Sequence, residues 1–436
     1  MIEKISSKIY VLKGKSADVS VGFGTGEDVA YTGMPKGAAK KVTHVPLGAK
    51  DETLHKFHAM ASESAIKWPL MRTRRDFIVG KGIEILTRTV KEGKKVFEYV
   101  EDSETDSIEL FLESIGYFKN MRPKALDLVF SGRYLIKMTL GLAQNIEKFE
   151  RVDPFHCKPE RMAENETRIS KYHLNANFGT KLFKPENSKA LPAFDPENPT
   201  KYPVCIIDIM DQMPGQVYHP FAEWWGTENW TGVTNKIPKF HSAGLDNGYN
   251  IKYHISVPDD YFAKENYPEG MDEEKLKQQV LDDMGDSLSG VENADKVLYT
   301  FHKALTEGRY AESGIKITPL PNTMSDDAYT NLHTAALGVD ASGHRVGPAT
   351  AGIDTGGGLG TSGKELEASA NFQQGFTTQN DRALLIEDFN IIKKIMGWSR
   401  NKVAVFEDIV LYTVDSTPTN SPGNPNNPAN GNSNKK

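Results

Sequence analysis

The chain has 436 residues, 38% of them apolar and 25% charged, with a net charge of −6 and two cysteines, Cys157 and Cys205. A chain of this length holds roughly two to three domains and can bury a sizeable core. The negative balance excludes a basic protein that coats nucleic acid. Two cysteines in so long a chain exclude a disulfide framework and point to a reducing compartment.

No stretch reaches the ~18 uncharged apolar residues of a membrane helix. The most apolar candidate, residues 125–143, carries Asp127, Arg133 and Lys137. The first residues, MIEKISSKIYVLKGK, have no apolar centre followed by small residues, so they do not read as a signal peptide. Residues 14–42 are rich in Gly, Ala and Lys and weakly patterned, which predicts an irregular arm.

Residues 50–90 read as helical, with Ile66, Leu70, Phe77 and Ile78 at helical spacings and the step Gly80-Lys81-Gly82 as the stop. A second helix is predicted over 107–120. From Asp127 to Phe155 the text turns to β-rich alternation, as in VFSGRYLIKMTLG, and predicts antiparallel strands. Residues 179–203, rich in Pro and Asn, predict a long loop. The segment 220–246 is amphipathic and aromatic, and Pro238 is expected to kink or interrupt any helix there. Its Trp224, Trp225 and Trp230 are read as packing within or between subunits rather than as a ligand platform.

A short strand, IKYHISVP, precedes a predicted amphipathic helix with Leu276, Val280, Leu281, Met284 and Leu288 on one stripe. Residues 259–295 hold twelve Asp or Glu against three Lys, a local net charge of −9. Such a run is either a solvated helical face or a surface that repels DNA phosphates. VLYTF and GIKITPL read as strands, and Ser325-Asp326-Asp327 as the start of a helix reaching Leu337. A glycine-rich segment, 338–363, leads to a long helix over 363–396, opened by the capping box Ser362 to Glu365. VAVFEDIVLYTV is a last strand. Residues 415–436 contain no apolar residue larger than alanine and proline, so they cannot offset ordering entropy and are expected to be disordered.

Chemistry is sparse. GLGTSGKE, Gly358 to Glu365, matches the phosphate-cradling loop G-x-x-x-x-G-K-[ST] except at its last position, where Glu365 replaces the Mg²⁺-binding hydroxyl. The preceding HRVGPATAGIDTGG is not a buried strand, so a loop running into a capped helix is the better reading. The eleven histidines are scattered. His156 beside Cys157, or His219 with Glu223, lacks the further ligands that zinc needs. No G-x-S-x-G elbow is present. Neither a cofactor, a metal nor an enzymatic activity is expected.

The order of segments resembles the portal proteins of tailed phages, particularly the compact ones, over about residues 45–412. THVPLGAKDE, a helix and then RRDFIVGKGIEI look like the family's N-terminal wing. FLESIGYFKNMRPKALDLVFSGRYLIKMTL is similar to a helix pair leading into a strand. VYHPFAEWWGTENW looks like the approach to the first stem, KFHSAGLDNGYNIKYHISVP like the path into the clip, and GIKITPL like the return to the second stem. NFQQGFTTQNDRALLIEDFNIIKKIMGW is similar to the helical stretch that closes many of these proteins.

The resemblance implies an α+β portal-type fold with an α/β wing, a helical stem, a small α/β clip and a long helix after a tunnel loop. It divides the chain into an arm (1–44), a wing (45–219), a first stem segment (220–246), a clip (247–324) and a second stem helix (325–338). The tunnel loop (339–363) follows, then the long helix and end of the wing with a reduced crown (364–414), and the tail (415–436). It further implies a ring, typically dodecameric, at the vertex of a virion capsid, assembled in the host bacterial cytoplasm. DNA would be packaged and ejected through it. The implied partners are the other subunits, the major capsid or scaffold protein, the terminase large subunit, the head–tail adaptor and double-stranded DNA, with no membrane. His344 and Arg345, on the tunnel loop, are the residues expected to touch phosphate. Two other readings stand beside it: a nucleotide-binding enzyme using residues 358–364, and another phage structural protein.

Overall fold

The structure, a computed structural model, describes residues 44–247, 326–353 and 363–409. It also describes strands at 2–6, 9–12, 251–258, 296–302 and 316–319, and helical positions 275, 278, 279 and 283. Strands β1 (Ile2–Ser6) and β2 (Ile9–Leu12) pair with each other. Helices α1 (Thr53–Glu63) and α2 (Lys67–Val79) follow. Helix α2 stops where Gly80 turns left-handed, φ 58°; a Cβ there would lie 2.1 Å from the Glu407 carbonyl oxygen, so only glycine fits. Strands β3 (Gly82–Lys91) and β4 (Lys94–Glu98) form a hairpin.

Helix α3 (Ser103–Ser114) is capped by Asp102, which accepts the Thr105 N–H, and α4 (Tyr117–Ser131) follows it. The predicted single helix over 107–120 is therefore two, broken at Gly116, φ 68°. The strand reading also begins too early. Helix α4 continues through Ser131, because Met121, Ala125, Leu128 and Val129 bury a helical stripe in the core. Gly132 ends it, and β5 runs only from Arg133 to Leu140.

Strand β5 is the centre of the fold. It is buried along most of its length, with β6 (Ile146–Val152) on one side and β10 (Val204–Met210) on the other, both antiparallel. Tyr134, Ile136 and Met138 face the main core shared with α2, α4 and the helix near the chain's end. Leu135 faces a second, small sheet of β7 (Cys157–Pro159), β8 (Lys171–Leu174) and β9 (Lys189–Pro192). The expected long loop over 179–203 thus contains a strand.

After a 3₁₀ turn at Glu223–Thr227, helix α5 (Glu228–Asn247) carries Pro238 without ending. Strand β11 (Ile251–Pro258) lies between β12 (Lys296–His302), parallel to it, and β13 (Lys316–Pro319), antiparallel. Helix α6 (Asp326–Gly343) then returns along α5 and is longer than predicted. Phe240 and Tyr329 stack between the two helices, 5.2 Å between centroids.

A short helix α7 (Pro348–Ala351), α8 (Gly363–Phe372), a π-helical turn at Gln373–Thr377 and α9 (Gln379–Met396) complete the helical part. The predicted long helix over 363–396 is therefore interrupted. Strand β14 (Lys402–Glu407) pairs with β3 and ties the chain's end to its beginning. The predicted arm at 14–42, most of the helix at 271–288, the phosphate-loop match at 358–362 and the tail lie outside the described residues.

Candidate functional site

Helix α6 ends in a turn that brings both sequence-predicted residues to one joint. The Arg345 N–H donates to Ser342 O (2.9 Å) and the Val346 N–H to Ala341 O (3.0 Å), the two bonds that close a helix through a left-handed residue. That residue is Arg345, φ 53°, at a position glycine usually fills. An L side chain there costs about 1–2 kcal/mol. The turn is held from below by Leu70, Ala341, Val346 and Ile353, which pack together.

The Arg345 guanidinium donates to Glu223 of the 3₁₀ turn. Glu223 also accepts from Arg74 of α2 (3.2 Å), and Arg74 donates to Asp381 of α9 (2.9 Å). Four charged side chains thus connect the end of α6 to three other elements. Burial pushes the Asp381 carboxyl up, and Arg74 opposes that shift.

Beneath this relay lies a fully enclosed ion pair. Lys67 Nζ of α2 is 2.9 Å from Asp340 Oδ1 of α6, and neither side chain is exposed. Thr231 and Thr234 of α5 donate to the two Asp340 oxygens at 3.0 and 3.2 Å, and Lys67 donates to Thr227 Oγ1 at 2.7 Å. Burial lowers the Lys67 pKa, and Asp340 works against that fall. Every polar group of the pair is answered, which is the condition for a buried pair to persist.

Trp224 closes the joint. Its indole N–H donates to Phe130 O (3.0 Å), Lys67 Nζ lies 5.3 Å from its ring, and His344 stacks on it at 5.5 Å. Trp225 stacks on Phe57 at 4.7 Å. Both indoles are buried, as packing required, whereas Trp230 is half-exposed.

The sequence placed His344 and Arg345 together on a channel-facing loop. The structure separates them. His344 is completely buried, and both ring nitrogens lack a hydrogen-bond partner. Burial, then Lys67 and Arg74, hold its pKa well below the usual value, so the ring is neutral and enclosed, with no face toward phosphate. It became internal because α6 continues past Leu337 and carries His344 over Trp224. Arg345 keeps a partly exposed guanidinium at the outer end of the relay.

Lys67, Arg74, Glu223, Asp340 and Asp381 were not anticipated. A signal existed: Lys67 and Arg74 occupy the same helical stripe as Leu70, Met71 and Ile78, and all five are buried. A cation at a core position requires a buried partner. The partners lie far away in sequence, so only their need was legible.

Other buried polar groups answer one another in the same way. Lys124 and the Tyr117 hydroxyl hold Asp388, and Arg133 and the Tyr172 hydroxyl hold Asp208. Burial raises the Cys157 thiol and pushes Cys205 up to about 12, so both thiols stay protonated. Among the described residues no group of three or more His, Cys, Asp or Glu is placed to hold a metal ion. No helix among them is long and apolar enough to cross a membrane.

No protein-family model and no curated protein matches the sequence. The fold does match solved structures. A chain of the neck of the empty gene transfer agent particle, computed with C6 symmetry, is 11% identical. The match covers 82% of this chain and 85% of that one, with a TM-score of 0.54. A chain of the virion of the native gene transfer agent particle is 11% identical over 79% of this chain and 81% of that one, with a TM-score of 0.52. An HK97-family phage portal protein from Corynebacterium diphtheriae aligns over 73% of this chain and 90% of that one at 10% identity, with a TM-score of 0.32, and carries no weight in the assignment. The mixed α+β fold is thus shared with chains of the gene transfer agent neck and virion.

Proposed function

We propose that this chain is the subunit of a portal ring, a structural conduit for double-stranded DNA at a capsid vertex. The observation that carries the reading is the fold shared, over more than three quarters of both chains, with a chain of a particle neck. The arrangement of elements supports it. Residues 44–222 and 363–409 form the body, a wing. Helices α5 and α6 leave it side by side as a stem, and the sheet β12-β11-β13 lies between them in sequence, where a clip belongs.

In a ring, each subunit's contacts repeat head to tail until the circle closes, with twelve copies the typical number. The turn at the end of α6, at Arg345, then faces the channel. Arg345 offers one ring of weak phosphate contacts, and His344 anchors the turn from within. The net charge of −6 suits a conduit through which phosphates must slide rather than stick. The major capsid or scaffold protein holds the wing, and the acidic clip meets the terminase large subunit and then the head–tail adaptor. The protein resides in the virion after assembly in the bacterial cytoplasm, and it performs no chemistry of its own.

Negative-stain electron microscopy of the purified chain, with mass measurement alongside, tests the reading. Closed rings with an opening wide enough for duplex DNA are expected. Shells or tubes, or a homogeneous monomer that binds ATP, refute it.

A further inference from the structure

The central sheet ends on β10, and part of that edge has no neighbour. On the side away from β5, Ala193 makes one parallel bridge to Ile206, and the Phe194 N–H donates to Ile206 O at 2.8 Å. The chain then leaves the edge. Antiparallel pairing alternates, so the N–H and C=O groups of Asp208 and Met210 point the same way as the Ile206 carbonyl, outward. Among the described residues they make no hydrogen bond. The Asp208 side chain is 3% exposed while the residue as a whole is partly exposed, so what solvent reaches is its backbone.

This edge lies in a groove of about 500 Å³, lined by Arg168, Tyr172 and Phe194 and by Glu387, Asn390 and Ile391 of α9. Two carboxylates line the groove, one buried and one exposed. Asp208 Oδ2 accepts from Arg133 (2.7 Å) and the Tyr172 hydroxyl (2.8 Å), but Oδ1 is buried without a donor. Glu387 forms no ion pair among the described residues. An open edge beside the exposed carboxylate of Glu387 fits an extended peptide that carries a cation.

The chain also contains a segment of that kind that joins no larger sheet among the described residues. Strands β1 and β2 form a two-stranded hairpin that, among the described residues, pairs with no other strand. An isolated hairpin is marginally stable at best. Its sequence, IEKISSKIYVL, followed by Lys13, carries three lysines against one acid, Glu3. The 31 residues from 13 to 43 span at most about 100 Å when extended, enough to reach an adjacent subunit.

We propose that the open edge of β10 receives the N-terminal hairpin, residues 2–12, of a second copy of the chain as an added strand, with a lysine reaching Glu387. The inference rests on the ring reading, since it needs a neighbour.

Rings assembled from mixed ordinary and ¹⁵N-labelled full-length chains, treated with a zero-length carbodiimide cross-linker, test it by peptide mass spectrometry. Links from Lys4, Lys8 or Lys13 to Glu387 that join light to heavy chains are expected. Glu387→Gln abolishes those links while rings persist. Met210→Pro, which removes an outward N–H, lowers the yield of lysine links to Glu387. Rings whose lysine links avoid Glu387, or join only chains of one label, overturn the inference and leave the ring reading intact. Chains that form no ring remove both.

Discussion

Replacing Asp340 by Asn keeps the side chain's shape and removes its charge, leaving Lys67 as an unpaired cation with no exposed surface. With the amide oxygen kept toward Lys67 and Thr231 (3.0 Å), the new amide N–H faces Thr234, whose hydroxyl accepts from it and still has Thr231 O at 2.9 Å, so the loss falls chiefly on the ion pair. Removing one partner of a buried pair costs about 3–5 kcal/mol. The penalty also carries a sign in pH. Without Asp340, burial dominates and Lys67 prefers to be neutral when folded, while the unfolded lysine keeps its proton to about pH 10.4. Between the two pKa values the unfolded state binds the extra proton, so stability rises with pH and the penalty shrinks from pH 7 toward 10. Urea unfolding followed by tryptophan fluorescence reads this directly, since Trp224 lies 5.3 Å from Lys67 Nζ. The double variant Lys67→Met with Asp340→Leu should recover much of the loss. A cost below about 1 kcal/mol, the range of an exposed pair, with no pH dependence, refutes the account of the joint.

Three further outcomes follow from the geometry. His344→Phe keeps the stack on Trp224 and removes two unanswered nitrogens, so the thermal midpoint should hold or rise; a fall of several degrees would mean the imidazole has an essential polar partner. Gly80→Ala puts a Cβ against the Glu407 carbonyl at a left-handed φ and should cost at least about 1–2 kcal/mol by chemical denaturation, with loosened exchange protection in β14. His44, held down to about 4 chiefly by burial, and the buried His219 and His344 are neutral when folded. Their unfolded forms take protons below about pH 6.5, so stability present above that pH is lost as pH falls toward 4. Thermal midpoints measured from pH 7 to 4 check this, and a flat profile contradicts it.

Where local chemistry settled an element, the sequence sufficed to place it. Gly80 ended α2, and Asp326 opened α6. The strands at 251–258, 296–302 and 316–319 matched their alternating text. Where two local readings competed, it did not. VFS before Gly132 has β-forming residues, yet helix α4 holds it because Leu128 and Val129 pack into the main core. Pro238 is expected to kink or interrupt α5, yet the helix runs on through it from Glu228 to Asn247. The π-helical turn at Gln373–Thr377 has no motif of its own, although Gln373 and Gln374 are buried there.

The amino-acid sequence by itself determined most of the helices and strands and the packing of Trp224 and Trp225. These rest on composition and on spacings of two to four residues, which the chain carries wherever it is. Only the tertiary structure decided which charges meet. Lys67 lies 273 positions from Asp340, and Arg74 lies 307 from Asp381. It also decided that His344 is interior while its neighbour Arg345 is not. The left-handed turn at Arg345 that ends α6 over Trp224 sends the two adjacent side chains apart, and burial, not residue type, then sets what each can do.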